Sequence, residues 1–299
     1  MPERFGLITP VLAGTPPEIH NEWENRATWQ DVVEIVKAAD RLGYDHIQCS
    51  EHVIVAAELE ALFGGRYFDP LATFGYLSAV TRRIRFVTSV LVLGYNHPLA
   101  IAKRYGTLDV VSGGRLVLGL GVGGQKPEFD VLGVGGVEFE ERGARGDDAI
   151  RALRASLGRR VAEYHGRYYD FGKMIVEPHA VQSDMRLWIG GCSFRSLRRA
   201  VELGDGWMPF GFNAQELAAQ IARAKELPSY AERTRALELI LNADKRLDPI
   251  GAPGGTVEVL RALFAAGATL TQLALEAGSS AHYIEQLEAM ANLAQQVFA

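Results

Sequence analysis

Glu51 and His52 stand side by side at the end of an apolar segment, DHIQCSEH, that begins at Asp45. His52 is the best candidate in the chain for an acid or hydrogen-bond donor, because an imidazole titrates near neutrality. A second group offers backbone rather than side chains. Gly190, Gly191, Cys192 and Ser193 precede a helical stretch that carries Arg195, Arg198 and Arg199. Free N–H groups at a helix start, with a serine hydroxyl and an arginine, make a cradle for a phosphate. A third group, Gly121, Val122, Gly123 and Gly124, follows a strand with bare main chain, as a ligand lying against the backbone would require.

The elements that must hold these groups are legible in outline. The stretch Arg85 to Gly136 reads as strand, loop, helix, turn, strand and glycine-rich loop. Phe86 to Leu93 is an apolar, β-branched run of the kind covered on both faces. Asn96 and Pro98 predict a capped helix start, Gly113 and Gly114 its left-handed end, and Leu116 to Leu120 the next strand. This βαβ pattern recurs. Phe5 to Val11 predicts the first strand, and Thr28 with Asp31 predicts a capping box for a helix ending at Gly43. Asp45 to His52 is the second strand, and Asp69–Pro70 opens another helix.

Beyond the central unit, Arg142 to Leu157 is helical in pattern. Residues 159–184 form an irregular insertion, with a hairpin expected around Gly172. Strands follow at Leu187–Gly191, Gly206–Phe210, Leu237–Asn242 and Leu270–Glu276, each before a helical stretch, with Ser193 and Ser280 as caps. Eight strand–helix alternations predict an α/β fold, a single (β/α)8 TIM barrel spanning residues 1–299, with the insertion between strands 4 and 5. In such a barrel the working groups lie at the C-terminal strand ends. That rule selects Thr9–Pro10, Glu51–His52, Ser89–Val90, Gly121 to Gln125, Gly190 to Ser193 and Pro209–Phe210.

Composition excludes several classes. The 299 residues are 48% hydrophobic and 22% charged, with a net charge of −5, which disfavours a nucleic-acid surface. Two cysteines, Cys49 and Cys192, both in apolar strand contexts, give no disulfide framework and fit a reducing compartment. No apolar run approaches a membrane span, and the amino terminus has no signal-like core. A cytoplasmic protein is expected. Neither HExxH nor a Cys–His cluster is present, so no metal site is expected. GLGVGG fails the GxGxxG spacing, and no helix is expected directly after it. Trp188 and Trp207, in strands, read as barrel filling.

HPLAIAKRYGTLDVVSGGRLVLGLGVGG followed by EFDVLGV, together with Arg142–Gly143 and LWIGGCSFRSLRRAVELGDGWMP, resembles the luciferase-like oxidoreductases over nearly the whole chain. The similar subgroup is the one that depends on coenzyme F420, a deazaflavin, and moves a hydride between it and a small organic substrate; the alternatives are an FMN-dependent monooxygenase on the same barrel and a non-catalytic flavin-binding relative. The resemblance implies a bulge at Ser89–Val90, with a cis peptide, backing the tricyclic ring. It places Glu51–His52 beside that ring and the cofactor phosphate at Gly190 to Ser193 with Arg195. It also implies a small-molecule substrate and a homodimer. Sugar-phosphate dehydrogenases of the family carry a glutamate where this chain has Gly124–Gln125, which argues against glucose 6-phosphate. Tyr67, Phe68, Tyr168 and Tyr169 are expected to line the pocket.

Overall fold

A computed structural model describes residues 4–13, 20–133, 138–243 and 245–298. Eight parallel strands close on themselves: β1 (Phe5–Leu7), β2 (His46–Cys49), β3 (Arg85–Thr88), β4 (Leu116–Gly121), β5 (Leu187–Gly190), β6 (Gly206–Met208), β7 (Glu238–Asn242) and β8 (Leu270–Leu273). Closure is direct, since Phe5 of β1 pairs in register with Thr271 of β8. The predicted (β/α)8 barrel is therefore the observed fold. The far end of the central stretch, from Val134 to Gly136, and residues 14–19 of the first loop lie outside the described residues. No described helix is long and apolar enough to cross a membrane.

Strand alternation sends one set of side chains outward to the helices and the other into the barrel. Phe5, Leu7, Ile47 and Phe86 belong to the outer core, whereas Val87, Val117, Trp188, Met208, Ile240 and Leu270 fill the interior. Below them a polar plug seals the N-terminal end. His46, fully buried, has Nδ1 2.6 Å from Asp45 Oδ2, and Arg85 donates to the same carboxylate at 2.6 and 2.8 Å. The His46 ring lies where a β-carbon of residue 6 would be, so only Gly6 fits opposite it. Among the described residues this cluster fills the bottom of the barrel.

The helix starts show how local chemistry sets the frame, and where the expectation was off. Thr28 donates from its N–H and its hydroxyl to Asp31 at 2.8 and 2.7 Å, which fixes helix Trp29–Leu42 as expected. Helix Pro98–Ser112 is capped by His97, not Asn96: His97 Nδ1 accepts from the Leu99 N–H, while Asn96 is drawn to Arg104 at 2.8 Å. The final helix, Ser280–Phe298, is capped by Ser279, because Ser280 donates its hydroxyl to Asp31. A helix, Lys126–Leu132, does open directly after the glycine loop, with Pro127 in its first turn.

The insertion contains a hairpin, Val161–His165 against Asp170–Ile175, but it turns at Gly166–Tyr169 instead of around Gly172. The reason is Asp148 of helix Arg142–Ser156. Its carboxylate accepts from Tyr164 Oη and from the N–H groups of Tyr168 and Tyr169, at 2.6, 2.7 and 3.1 Å. An acidic side chain distant in sequence therefore places the turn.

Candidate active site

The third strand breaks where it was expected to. Strand β3 stops at Thr88, the Ser89–Val90 peptide is cis, and pairing with β4 resumes at Leu91–Val92. Ser89 donates its N–H to Cys49 O at 2.8 Å, so the break is held to the end of β2. Val90 rests on the interior apolar layer and remains partly exposed at the barrel mouth. It presents an apolar platform there.

The neighbouring glycines take their identity from this break. At Gly121 and at Gly190 a β-carbon would collide with the methyls of Val90, and at Gly119 it would overlap the Thr88 carbonyl. Gly121 was expected to be bare for a ligand, and Gly190 to belong to the phosphate cradle. What occupies the space is the chain's own broken strand, through the methyls of Val90. Val122 likewise turns away, with its methyl against Gly146 of helix Arg142–Ser156. Gly123, at φ +85°, offers its carbonyl to Arg142 Nε at 3.1 Å.

Glu51 and His52 lie one strand over, at the end of β2. The Glu51 carboxylate accepts from the Val92 N–H at 2.7 Å, which joins it to the segment just beyond the cis bond. Burial, reinforced by the charges of Asp69 and Glu128, holds the Glu51 carboxyl up at about 7, against the opposing effect of the Val92 N–H and of His52. It therefore changes protonation near neutrality, where a proton-transfer group is most useful.

His52 has a partner that sequence reasoning missed. Its Nδ1 lies 2.7 Å from Glu128 Oε2, and the second Glu128 oxygen accepts from the N–H groups of Val53 and Ile54 at 2.8 and 3.3 Å. The Glu128 side chain is 1% exposed and that of His52 24% exposed, so the histidine is the open member of the pair. Burial alone would raise the Glu128 carboxyl. Its bonds to His52, Val53 and Ile54 outweigh that and hold it below the usual carboxylate range. The Tyr67 ring packs on His52 at 4.6 Å between centroids. The Tyr95 hydroxyl is buried among these groups, and burial and the charges of Glu128 and Glu51 raise it well above the ordinary phenol range. Glu128 sits in the EFDVLGV segment, but no local spacing connects it to His52, 76 residues away.

At the end of β5, Ser193 caps helix Phe194–Leu203 by accepting from the Ser196 N–H at 3.3 Å. The N–H groups of Cys192, Phe194 and Arg195 have no backbone partner among the described residues, and Cys192, Ser193 and Arg195 are exposed. Cys192 is thus a loop residue rather than the strand residue expected, while Cys49 is buried. A phosphate could be held at this helix start, where N–H groups lack backbone partners and Arg195 is exposed in the first turn. The other two arginines do not contribute. Arg198 pairs with Glu202 at 2.7 Å, and Arg199 is buried against Asp147.

A cleft of about 570 Å³, lined by Asp184, Asp205, Arg233 and Arg235, lies at the opposite end of the barrel. Its arginines serve structure: Arg233 binds the carbonyls of Ala200, Val201 and Gly204, and Arg235 pairs with Asp184. Glu51, His52, Glu128 and Ser193 lie at the mouth, at the C-terminal strand ends.

Comparison with known proteins bears on what this mouth does. The family model described as luciferase-like monooxygenase matches residues 4–244. The chain belongs to the luciferase-like monooxygenase family. It is 30% identical to an uncharacterised protein of Mycobacterium tuberculosis over 219 residues, which cover 69% of this chain and 74% of that one. It is 27% identical to an F420-dependent glucose-6-phosphate dehydrogenase of Amycolatopsis mediterranei, over 72% of this chain and 66% of the relative. Among solved structures, a monooxygenase from Streptomyces bottropensis superposes with a TM-score of 0.74 at 18% identity, covering 99% of this chain and all of that one. As a luciferase-like family member the chain is a flavin- or deazaflavin-dependent oxidoreductase on a closed parallel barrel.

Proposed function

We propose that this luciferase-like oxidoreductase uses coenzyme F420 to move a hydride to or from a small organic substrate at the barrel mouth. The observation that carries the reading is the 2.7 Å bond from the Val92 N–H to Glu51. It holds the protic residues of β2 against the broken strand, where Val90 offers a platform for a flat ring. The bound cofactor would supply the hydride chemistry. The protein would hold its phosphate at the N–H groups from Cys192 onward, with Ser193 and Arg195, and keep a proton donor beside the reacting carbon.

His52 and Glu51 suit that division of labour. A hydride added to a substrate needs a matching proton, and two groups able to supply one face the same rim. With Nδ1 engaged by Glu128, the Nε2 edge of His52 is the one left to meet substrate. Arg195, exposed beside the phosphate cradle, fits the extended acidic tail of F420.

An FMN-dependent monooxygenase is the second reading, favoured by the monooxygenase whose fold this chain shares. The two separate on oxygen. Given reduced F420 and a reducible substrate, the protein should turn over without consuming oxygen. Turnover found only with reduced FMN and oxygen would overturn the deazaflavin reading.

A further inference from the structure

Val11, just beyond the end of β1, has φ +73°, in the left-handed region that a β-branched residue rarely enters. A backbone of that kind persists only where its surroundings enforce it. The enforcing group here is Glu24, which is 2% exposed. Its Oε2 accepts from the Val11 N–H at 2.7 Å, and its Oε1 accepts from the backbone N–H and side-chain amide of Asn21 at 2.9 and 3.0 Å. Asn21 is fixed in turn to the segment after β8, donating to Leu275 O at 3.0 Å and accepting from the Ala277 N–H at 2.9 Å. Each carboxylate oxygen thus serves one donor set. A glutamine has one such oxygen, and its own N–H groups would face either Val11 or Asn21.

Immediately after the turn at Val11 the chain meets the loop that follows β2. Phe68 donates its N–H to Leu12 O at 2.9 Å, and Ala13 pairs with Tyr67 in an antiparallel bridge. The main chain of Glu24 holds the other side of this bridge, because its carbonyl accepts from Arg66 Nη2 at 2.9 Å. One buried residue therefore grips both partners, Val11 through its carboxylate and Arg66 through its carbonyl. What the bridge carries is the Tyr67 ring, packed on His52 with centroids 4.6 Å apart and planes at 58°. Glu128 holds one edge of the imidazole, and Tyr67 packs against the ring itself.

We infer that Glu24 is a positioning residue for His52, acting through the left-handed turn at Val11 and the Ala13–Tyr67 bridge to set the Tyr67 ring against the imidazole. The ring contact stands on this geometry alone. Its consequence for turnover rests on the reading of His52 as a protic group of the mouth.

The test follows the His52 ring protons by NMR in the full chain, without added cofactor. Tyr67→Leu removes the aromatic ring and gives the signal position of an imidazole with no tyrosine against it. Glu24→Gln should move the His52 signals toward that position and weaken the Tyr67–His52 cross-peaks. Val11→Gly alone should leave both near native, since glycine takes a positive φ freely. Added to Glu24→Gln, it should bring the signals back toward native. Arg66→Ala breaks only the other grip and should shift them in the same direction by a smaller amount, so it decides the matter if Glu24→Gln does not fold. Native His52 signals in folded Glu24→Gln, or in Arg66→Ala where the first variant does not fold, would overturn the proposal. So would a double variant no closer to native than Glu24→Gln alone. Turnover is then read separately: Glu24→Gln should lower kcat by about ten- to a hundredfold, the cost of a small misplacement at a reacting centre, with cofactor affinity near native. Displaced His52 signals with native turnover would support the positioning and count against His52 as the protic group.

Discussion

His52 Nδ1 and Glu128 Oε2 are 2.7 Å apart, and the same carboxylate ties down the N–H groups of Val53 and Ile54. One buried glutamate thus sets both the ring orientation of the candidate proton donor and the path of the chain leading away from it. With Nδ1 pinned by that carboxylate, the ring turns its Nε2 edge away from Glu128.

His52→Ala should reduce turnover by about 10²–10⁴-fold, the usual contribution of a positioned acid or base, with little change in cofactor affinity. Glu128→Gln should cost less, because the amide still accepts a bond while the carboxylate that orients the His52 ring is lost. Steady-state kcat and KM for both variants test this. Unchanged turnover in Glu128→Gln would reduce that residue to a loop anchor.

Glu51 makes a prediction about stability. Its carboxyl titrates near 7 in the folded chain and near 4.3 when unfolded, so between those values the folded state binds the extra proton. Stability from this group is therefore fully present below about pH 4.3 and is lost as pH rises toward 7. Glu51→Gln keeps an acceptor for Val92 but removes the buried charge. Thermal melts of the variant and the native chain should nearly coincide at pH 5, and the variant should melt higher at pH 8. A difference independent of pH would contradict the account.

Gly121 and Gly124 differ by three positions and should differ sharply in tolerance. A methyl at Gly121 meets Val90, whereas nothing lies within 4 Å of the β-carbon position at Gly124. Overpacking of this kind costs about 1–3 kcal/mol. Urea unfolding should show Gly121→Ala destabilised by that amount, with weakened cofactor binding, and Gly124→Ala close to native in both. Equal behaviour of the two would mean that Val90 yields easily.

Much of this mouth could be read from the sequence because it depends on residues close together in the chain. The strand–helix alternation, the turn at Gly113–Gly114 and the Ser193 cap are local, and all three are present. The Ser89–Val90 break came from family register, since small-then-branched is unremarkable in a strand. What local patterns could not reveal were pairings across the barrel. Glu128 reaches His52, Asp148 sets the hairpin turn, and Asp147 removes Arg199 from the cradle. Gly121 and Gly190 look like ligand-facing glycines until the Val90 side chain is seen between them.

Arg195 and Arg198 lie one helical turn apart in the same basic run, yet only Arg195 lacks a carboxylate partner among the described residues. Arg195→Ala should weaken F420 binding several-fold and flatten its salt dependence, while Arg198→Ala should leave both near native. Fluorescence titration of F420 at two salt concentrations distinguishes them. Equal effects would place the acidic tail elsewhere.

The central claim is that the broken strand, the His52–Glu51 pair and the helix start at Ser193 together hold a deazaflavin. Titrating the purified chain with F420 and with FMN, each at low and high ionic strength, tests it most directly. The account predicts tighter binding of F420, weakening as salt screens the exposed Arg195 contact over about 10 Å at 0.1 M. Tighter, salt-insensitive binding of FMN, with oxygen consumed during turnover, would contradict it.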